Sequence, residues 1–263
     1  MVTVIHNAAI VTVDDNDAVH YDAAIAIDGN RIAAIGPSAE ILGRYPNAER
    51  VDGTNKMVMP GFANVHTHLT MTLARGIFED LSPPHKPPFS GGLSPIPLPK
   101  LSKEEQTTMA KLGALEALRS GTTLVLEDGA GTGDYAGALA STGMRFLLGV
   151  RAFDRIGTEI GDPAPYQLDR ALGQRHLKII EDTFHEWNGK ADGRVRIAVS
   201  AWAPDMCSPE LLKDLRALQD KLDTWATIHL NQIWGEVAAI QAHRNRLPTE
   251  YLADLGFLNE RLI

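Results

Sequence analysis

Two histidines separated by one residue, His66 and His68, end an apolar run and have a spacing suited to metal binding. The run reads MVMPGFANVHTHL at residues 57–69, and its apolar composition indicates a buried strand. Residues i and i+2 of a strand point to the same face, so both imidazoles can reach one ion. Because imidazole is a preferred ligand of zinc and related divalent metals, the spacing predicts a metal site. The alternative is a pair of hydrogen-bonded histidines in a turn.

A third histidine, His229, ends a second apolar run, which reads WATIHLNQ at residues 225–232. If both runs are parallel strands of one barrel, their C-terminal ends meet at the mouth where active sites are built. His66, His68 and His229 would then converge, and three histidines with an open fourth position are typical of catalytic zinc. Taken by itself, His229 is more simply interpreted as a core histidine.

The segments that would position these histidines alternate between strand and helix from about residue 57, which indicates parallel βα units. Strands are predicted at 58–66, 122–127, 146–152, 195–202 and 226–230, with a further one starting at 261–263. Helices are predicted at about 103–120, 168–187, 209–222 and 233–243. The first helix begins with a capping box, formed by Ser102 and Glu105.

The first 57 residues differ from the rest, because they contain short apolar or β-branched stretches separated by turns. Strands are predicted at 2–5, 9–13, 23–27 and 31–35, the last two joined by a tight turn at residues 28–30. The acidic residues 14–17 lack the glycine and the terminal glutamate of a calcium loop, so they are interpreted as a solvated turn.

Composition limits the classes of protein. The chain has 263 residues, is 44% hydrophobic and carries a net charge of −8, which argues against a nucleic-acid-binding surface. A single cysteine excludes an intramolecular disulfide and a cysteine-based zinc cluster. No apolar run approaches the ~18 residues of a membrane span, and no signal peptide is visible at the N-terminus. A cytoplasmic protein without membrane partners is therefore expected.

The string PGFANVHTHL strongly resembles the first barrel strand of the amidohydrolase superfamily. The most similar branch is the aminohydrolases, which include cytosine, guanine and methylthioadenosine/adenosylhomocysteine deaminases and the triazine hydrolases. The resemblance covers essentially the whole chain and implies a (β/α)8 TIM-type barrel, an α/β fold. Residues 1–57 would then supply part of a small β-sandwich, and residues 58–263 an incomplete hydrolase barrel.

The resemblance also implies a ligand set. Strand 1 would give two ligands, strand 5 a third and an aspartate on strand 8 a fourth, while a histidine on strand 6 would aid the nucleophilic water. The last two would lie beyond Ile263, so the chain is expected to be truncated before strand 6. A smaller open α/β sheet, complete as it stands, is the alternative. Relatives with two metals use a carboxylated lysine on strand 4, and residues 194–204 contain none. One divalent ion is therefore expected, Zn²⁺ by preference and Fe²⁺ as an alternative.

One position departs from the family pattern. Aminohydrolases of this branch carry a glutamate three residues after the strand 5 histidine, where it shuttles a proton, whereas this chain has Gln232. An amide can hydrogen-bond but cannot transfer a proton as a carboxylate does. Glu236, four residues further on, could take over the role only with a different loop geometry, and its simpler interpretation is a solvated helix residue.

Substrate contacts are predicted in the loops that follow the strands. Arg75 follows strand 1, and Asp205 and Met206 follow strand 4 where relatives often place a substrate-contacting histidine. Trp202 and Trp234 flank the mouth and could stack on a planar ring, although core packing is an equal alternative. The proline-rich residues 82–99 are interpreted as an extended loop over the mouth or as a surface tether. Cys207 is expected to be a packed thiol.

These features predict a metal-dependent hydrolase that acts on non-peptide carbon–nitrogen bonds, of the deaminase or chlorohydrolase type. The resemblance implies a small planar heterocycle or cyclic amide as substrate, attacked by a metal-activated water. The resemblance is also compatible with a homo-oligomer. The alternative is a non-catalytic remnant or binding module of the same fold, which Gln232 and the expected truncation would explain.

Overall fold

A computed structural model describes residues 1–75, 100–129, 131–157 and 160–263. The proline-rich segment 82–99, predicted as a loop over the barrel mouth, therefore lies outside the described residues. Contacts divide the chain into two compact units, Met1–Phe62 and Ala63–Ile263.

The first unit is a five-stranded sheet with one helix. Its elements are β1 (Val2–Val11), β2 (Val19–Asp28), β3 (Arg31–Pro37), α1 (Ser38–Arg44), β4 (Glu49–Asp52) and β5 (Met57–Val58). The strand order is β3-β2-β1-β4, and β5 pairs with the other part of β1. The hairpin between β2 and β3 turns at Gly29, whose φ of +58° suits the predicted tight turn. The short helix α1 was not predicted.

One strand of this unit is longer than predicted. The two stretches predicted at 2–5 and 9–13 form the single strand β1, because register shifts between Ile5 and Ile10 absorb the polar residues between them. Asn7 adopts a φ of +58° within this stretch, a conformation that asparagine tolerates better than most residues. An irregularity of this kind bends a strand without ending it.

The second unit contains a parallel sheet with strands in sequential order. Its strands are β6 (Phe62–Thr67), β7 (Thr122–Gly129), β8 (Arg145–Ala152), β9 (Val195–Ala201) and β10 (Ala226–Ile228). Strands β7 to β10 are parallel, and the order β10-β9-β8-β7-β6 is that of a half barrel. All five predicted barrel strands are confirmed to within a few residues. The stretch predicted to start a further strand, 261–263, bridges in parallel to β10 through Leu262.

Helices connect and cover these strands. They are a 3₁₀ helix (Leu69–Ala74), α2 (Lys103–Arg119), α3 (Thr132–Ala140), α4 (Arg170–Trp187), a short turn α5 (Lys190–Gly193), α6 (Pro209–Leu222), α7 (Trp234–Arg244) and α8 (Pro248–Asp254). The capping box of Ser102 and Glu105 is present, with both reciprocal hydrogen bonds formed. Gly131, with a φ of +79°, is the N-cap residue of α3.

The core of the second unit lies between the sheet and its helices. Alternate residues of β8 and β9 are buried against α4 and α6, including Phe146, Leu148, Ile197 and Val199. Burial of such a face is the main term that holds a parallel sheet against its helices. The residues between them point to the other side of the sheet, and at the C-terminal strand ends these are polar. The polar residues there form the site described next.

None of the helices in the described ranges has the length and apolar character needed to cross a membrane.

Candidate metal centre

Three predicted ligands converge at the C-terminal edge of the parallel sheet. His66 is the penultimate residue of β6, His68 follows that strand, and His229 follows β10. The ring centroids lie 5.0 Å apart for His66 and His68, 4.9 Å for His66 and His229, and 5.3 Å for His68 and His229. One ligand nitrogen from each ring lies within 4.8 Å of the others. In the described part of the chain this is the one group of three side chains that meets a metal-site spacing.

Hydrogen bonds fix the proton position on two of these rings. His68 Nδ1 lies 2.7 Å from the main-chain oxygen of Asp128, and His229 Nδ1 lies 2.9 Å from that of Trp202. A carbonyl oxygen only accepts, so in the neutral rings Nδ1 carries the proton and Nε2 keeps a free lone pair. Both Nε2 atoms are therefore in the form that binds metal.

The two free nitrogens face each other at a distance that suits one ion. His229 Nε2 lies 3.2 Å from His68 Nε2. Two nitrogens bound tetrahedrally to zinc at about 2.0–2.1 Å would be roughly 3.3–3.4 Å apart. Without a shared proton, two lone pairs at this separation repel, and a cation between them would remove the repulsion. The donor set thus fits a divalent ion.

Burial keeps two of the rings neutral. Burial lowers the pKa of His229 to about 4, with Asp128 opposing and Arg151 and the other histidines adding to the effect. Burial also lowers the pKa of His68, against the raising effect of its hydrogen bond to Asp128. His66 is exposed, so the cluster opens to solvent on that ring's side. A neutral imidazole is the form required of a ligand, so the cluster is ready to bind metal at neutral pH.

Two acidic residues that the sequence analysis did not select complete the site. Glu127 and Asp128 are the two residues before Gly129, the last residue of β7, and both are buried. The carboxylate of Asp128 lies 2.7 Å from Arg151 Nη2 and accepts a hydrogen bond from the Ser200 hydroxyl at 2.6 Å. A pair of acids directly after the apolar residues of a predicted barrel strand was a usable signal, because that position faces the mouth.

The loop after β10 overturns one interpretation. Glu236, interpreted as a solvated helix residue, is 0% exposed. One carboxylate oxygen accepts from the N–H of Asn231 and the other from that of Gln232, each at 2.9 Å. Asn231 adopts a φ of +56°, which turns the chain so that both N–H groups face the carboxylate. Gln232 itself is exposed and is held through its main chain.

The burial of Glu236 predicts a pH-dependent stability. Burial raises the pKa of Glu236 to about 7, against the lowering effect of its two N–H donors. In the unfolded chain the carboxyl has its ordinary pKa of 4.5, so between pH 4.5 and 7 the folded state alone keeps the proton. The free energy of unfolding should therefore fall as pH rises through this range, by up to about 3 kcal/mol from this group.

The change Glu236→Gln should remove this contribution. The amide offers one acceptor for two N–H donors, so near pH 4.5 it should cost about 1–2 kcal/mol relative to the protonated wild type. Denaturant unfolding of both proteins from pH 4.5 to pH 8, with a chelator present, measures the difference. The advantage of the wild type should shrink as pH rises. Parallel curves would show that Glu236 does not titrate in this range.

The predicted substrate contacts have different surroundings. Arg75 is exposed and pairs with Glu116 of α2 at 2.9 Å. The Trp202 ring is half-buried beside Phe153 and lies 5.5 Å from the Arg151 guanidinium. Trp234 is 74% exposed. Of these three residues, Trp202 is the one bonded to the cluster, because its main-chain oxygen accepts a hydrogen bond from His229 Nδ1.

Asp205 and Met206, which the sequence predicts as substrate contacts, are fully buried. Asp205 pairs with the buried guanidinium of Arg155 at 3.4 Å and accepts from the N–H of Gly161 at 2.7 Å. Met206 packs against Ile160 and Ala203. Sequence spacing placed both residues after strand 4 correctly, but it could not show that their side chains turn into the core. They hold the loops at this edge in place.

Cys207 is buried, as expected of a packed thiol, and burial raises its pKa well above the usual range. A thiol held in its protonated form is a poor nucleophile.

Comparison with known proteins identifies the family. The profile of the amidohydrolase family matches residues 57–263, and that of a bacterial imidazolonepropionase-like composite domain matches residues 23–48. This protein belongs to the amidohydrolase family, so the resemblance found in its sequence is confirmed.

Two curated relatives are similar along most of the chain. A 5-methylthioadenosine/S-adenosylhomocysteine deaminase from Carboxydothermus hydrogenoformans is 30% identical over 262 residues, 98% of this chain and 55% of the relative. A 5'-deoxyadenosine deaminase from Methanothermobacter thermautotrophicus is 32% identical over 243 residues, 91% of this chain and 52% of the relative. The chain thus spans about half the length of the curated relatives that it matches.

Solved structures share the fold. A zinc-bound adenosine deaminase from Xanthomonas campestris matches with a TM-score of 0.79 and 24% identity, covering 99% of this chain and 56% of that one. Guanine deaminase from Bradyrhizobium japonicum matches with a TM-score of 0.75 and 18% identity, covering 100% and 57%. These matches confirm the barrel-type class of the predicted fold.

Proposed function

We propose that this protein is a metal-dependent hydrolase whose ion is held by His66, His68 and His229. The observation that carries the proposal is the pair of free Nε2 atoms 3.2 Å apart, with both Nδ1 protons committed to carbonyl oxygens. The zinc in a solved structure of the same fold supports it, as do the deaminase names of the curated relatives. We propose one ion, Zn²⁺ with Fe²⁺ as the alternative, because β9 carries no lysine to bridge two metals.

When bound, such an ion makes a hydroxide available at neutral pH by lowering the pKa of a water ligand. The residues of the chain supply orientation and charge. Carbonyl oxygens hold the His68 and His229 rings, while the Arg151 guanidinium pairs with Asp128 behind them. Buried and pre-oriented groups of this kind cost no reorganisation during the reaction.

The substrate class we propose is a small planar heterocycle that bears an amine or a halide. The names of the relatives supply one part of the support, since they act on methylthioadenosine, adenosylhomocysteine and 5'-deoxyadenosine. The other part is Trp202, whose main-chain oxygen accepts from His229 Nδ1 and whose half-buried ring is a flat apolar surface. We keep Trp202 and Arg75 as proposed substrate contacts and propose no such role for Asp205 and Met206.

For the whole protein we propose a (β/α)8 barrel in which β6 to β10 are the first five strands. The sequential parallel order and the half-length match to the relatives support it. We further propose that residues 1–57 contribute to a small β-sandwich and residues 58–263 to the barrel.

A binding module without catalysis is the second candidate, and Gln232 favours it. Position 232 is where the family's proton shuttle would stand, and an amide cannot shuttle protons. The buried carboxylate of Glu236 does not replace it in this geometry, because both its oxygens are committed to main-chain N–H groups.

The substitution Gln232→Glu separates the two candidates. In the zinc-loaded full-length protein it should raise ammonia release from 5'-deoxyadenosine or methylthioadenosine by about 10²-fold or more, the scale of general acid–base catalysis. Asn231→Asp is the matched control, because it adds the same charge at the neighbouring exposed position, and it should leave the rate unchanged.

Three results of this experiment are informative. A rise in rate confined to Gln232→Glu supports a hydrolase that lacks only its shuttle. A rate that is high in the wild type and falls in the variant shows that the amide orients the substrate. Zinc binding with no ammonia release from any of the three proteins supports the binding module.

A further inference from the structure

We propose that Glu127 and Asp128 are positioning residues for the histidine cluster: Asp128 holds the rings of His68 and His229, and Glu127 holds the main chain around His68. The proposal rests on the proposed function, because it concerns the same three histidines. Neither acid bonds to the Nε2 atoms that would bind metal, because Asp128 lies at the Nδ1 atoms and Glu127 bonds to Thr67 and Leu69.

Asp128 contacts both rings from the side opposite their Nε2 atoms. Its main-chain oxygen accepts from His68 Nδ1 at 2.7 Å, and its carboxylate oxygen Oδ2 lies 3.5 Å from His229 Nδ1. His229 Nδ1 also donates to the Trp202 oxygen, so its proton lies between two acceptors. A partner of this kind fixes both the tautomer and the orientation of a metal-binding imidazole.

Asp128 is itself held rigidly. Its side chain is 2% exposed, one oxygen accepts from Ser200 of β9, and the other pairs with Arg151 of β8. Gly149 makes the necessary space, because a Cβ there would lie 3.1 Å from Asp128 Oδ1. A buried carboxylate is tolerated when a guanidinium and a hydroxyl satisfy it in this way. Three neighbouring strands therefore determine where this one carboxylate lies.

Glu127 uses the other face of β7. Its Oε2 accepts from the N–H of Leu69 at 2.7 Å and from the hydroxyl of Thr67 at 3.0 Å, the two residues that flank His68. Its Oε1 accepts from Tyr135 of α3 at 2.8 Å. Since consecutive residues of a strand point to opposite faces, one dipeptide reaches the His68 main chain and both rings.

Because the two acids hold different parts of the site, their variants should give a crossed pattern in histidine NMR spectra of the metal-free protein. Each variant should disturb one histidine ring and leave the other unchanged. In the wild type, both His68 and His229 should be protonated at Nδ1. Asp128→Asn keeps the main-chain oxygen, so it should disturb the ring signals of His229 and leave the Nδ1–H form of His68. Glu127→Ala should disturb His68 and leave His229. A variant that only destabilised the fold would alter both rings together.

Zinc affinity gives the second measurement. Competition with a chromophoric chelator should show about 10–100-fold weaker binding for Asp128→Asn and for Glu127→Ala, the usual cost of losing a partner behind a ligand. Glu127→Gln keeps an acceptor for Leu69 and should recover most of the affinity. Asp154→Asn is the matched control: Asp154 is equally buried but bonds to Ser208, and its loss should leave affinity unchanged.

Ser200→Ala covers the case in which Asp128→Asn does not fold. It removes one bond to the Asp128 carboxylate and should weaken zinc binding several-fold while the fold persists. Wild-type affinity in folded Asp128→Asn or Ser200→Ala, or an equal loss in Asp154→Asn, overturns the proposal. If instead the wild type binds no zinc, the proposed function fails, and the crossed NMR pattern still tests whether the acids hold the rings.

Discussion

Replacing His229 with alanine is expected to weaken Zn²⁺ binding by more than about 100-fold. This loss is larger than the loss of affinity that follows when a ligand keeps its place but loses its hydrogen-bond partner. The reason is that His229 supplies one of two nitrogens 3.2 Å apart, and a single remaining imidazole beside the exposed His66 cannot enclose an ion. Chelator competition and metal analysis of the purified protein measure the loss. His243→Ala is the control, since that exposed histidine bonds to Pro163 away from the cluster. Equal zinc content in both variants contradicts the assignment.

Replacing Arg155 with methionine is expected to lower the free energy of unfolding by about 3–5 kcal/mol. The guanidinium is buried against Asp205, donates to the main-chain oxygens of Asp162 and Ala164, and lies 4.1 Å from the centre of the Tyr166 ring. Without the guanidinium, the Asp205 carboxylate would stay buried and lose its cationic partner. It would keep the hydrogen bond from the N–H of Gly161.

Denaturant unfolding provides the measurement, and two further variants sharpen it. Arg175→Met removes an exposed pair with Asp169 and should change stability by less than about 1 kcal/mol. The double change Arg155→Met with Asp205→Asn removes the uncompensated charge and should recover a large part of the loss. If Arg155→Met costs no more than Arg175→Met, the buried pair does not hold these loops.

The parts of the fold that the sequence predicted are those set by local periodicity. His66 and His68 share a face because side chains alternate along a strand, and that rule needs no knowledge of the partner strand. The capping box of Ser102 and Glu105 is equally local. The convergence of His229 with this pair followed from parallel strand order, which the alternation of strands and helices indicates.

The parts that were missed depend on partners distant in sequence. Glu127 is buried because Thr67 and Leu69, about sixty residues earlier, donate to it. The Asp128 carboxylate accepts a hydrogen bond from Ser200, 72 residues later. Glu236 lies in the first turn of α7, where an acidic side chain normally faces solvent. It is buried here beside the left-handed turn at Asn231. No pattern in a short window carries these pairings.

X-ray absorption at the zinc edge, together with anomalous diffraction from zinc-loaded crystals, tests the metal centre most directly. We predict one zinc peak between His66, His68 and His229, with zinc–nitrogen distances of about 2.0–2.1 Å to all three rings. A single ion bound away from these rings, or one bound to a single ring with the Nε2 atoms of His68 and His229 left facing each other, would contradict the site.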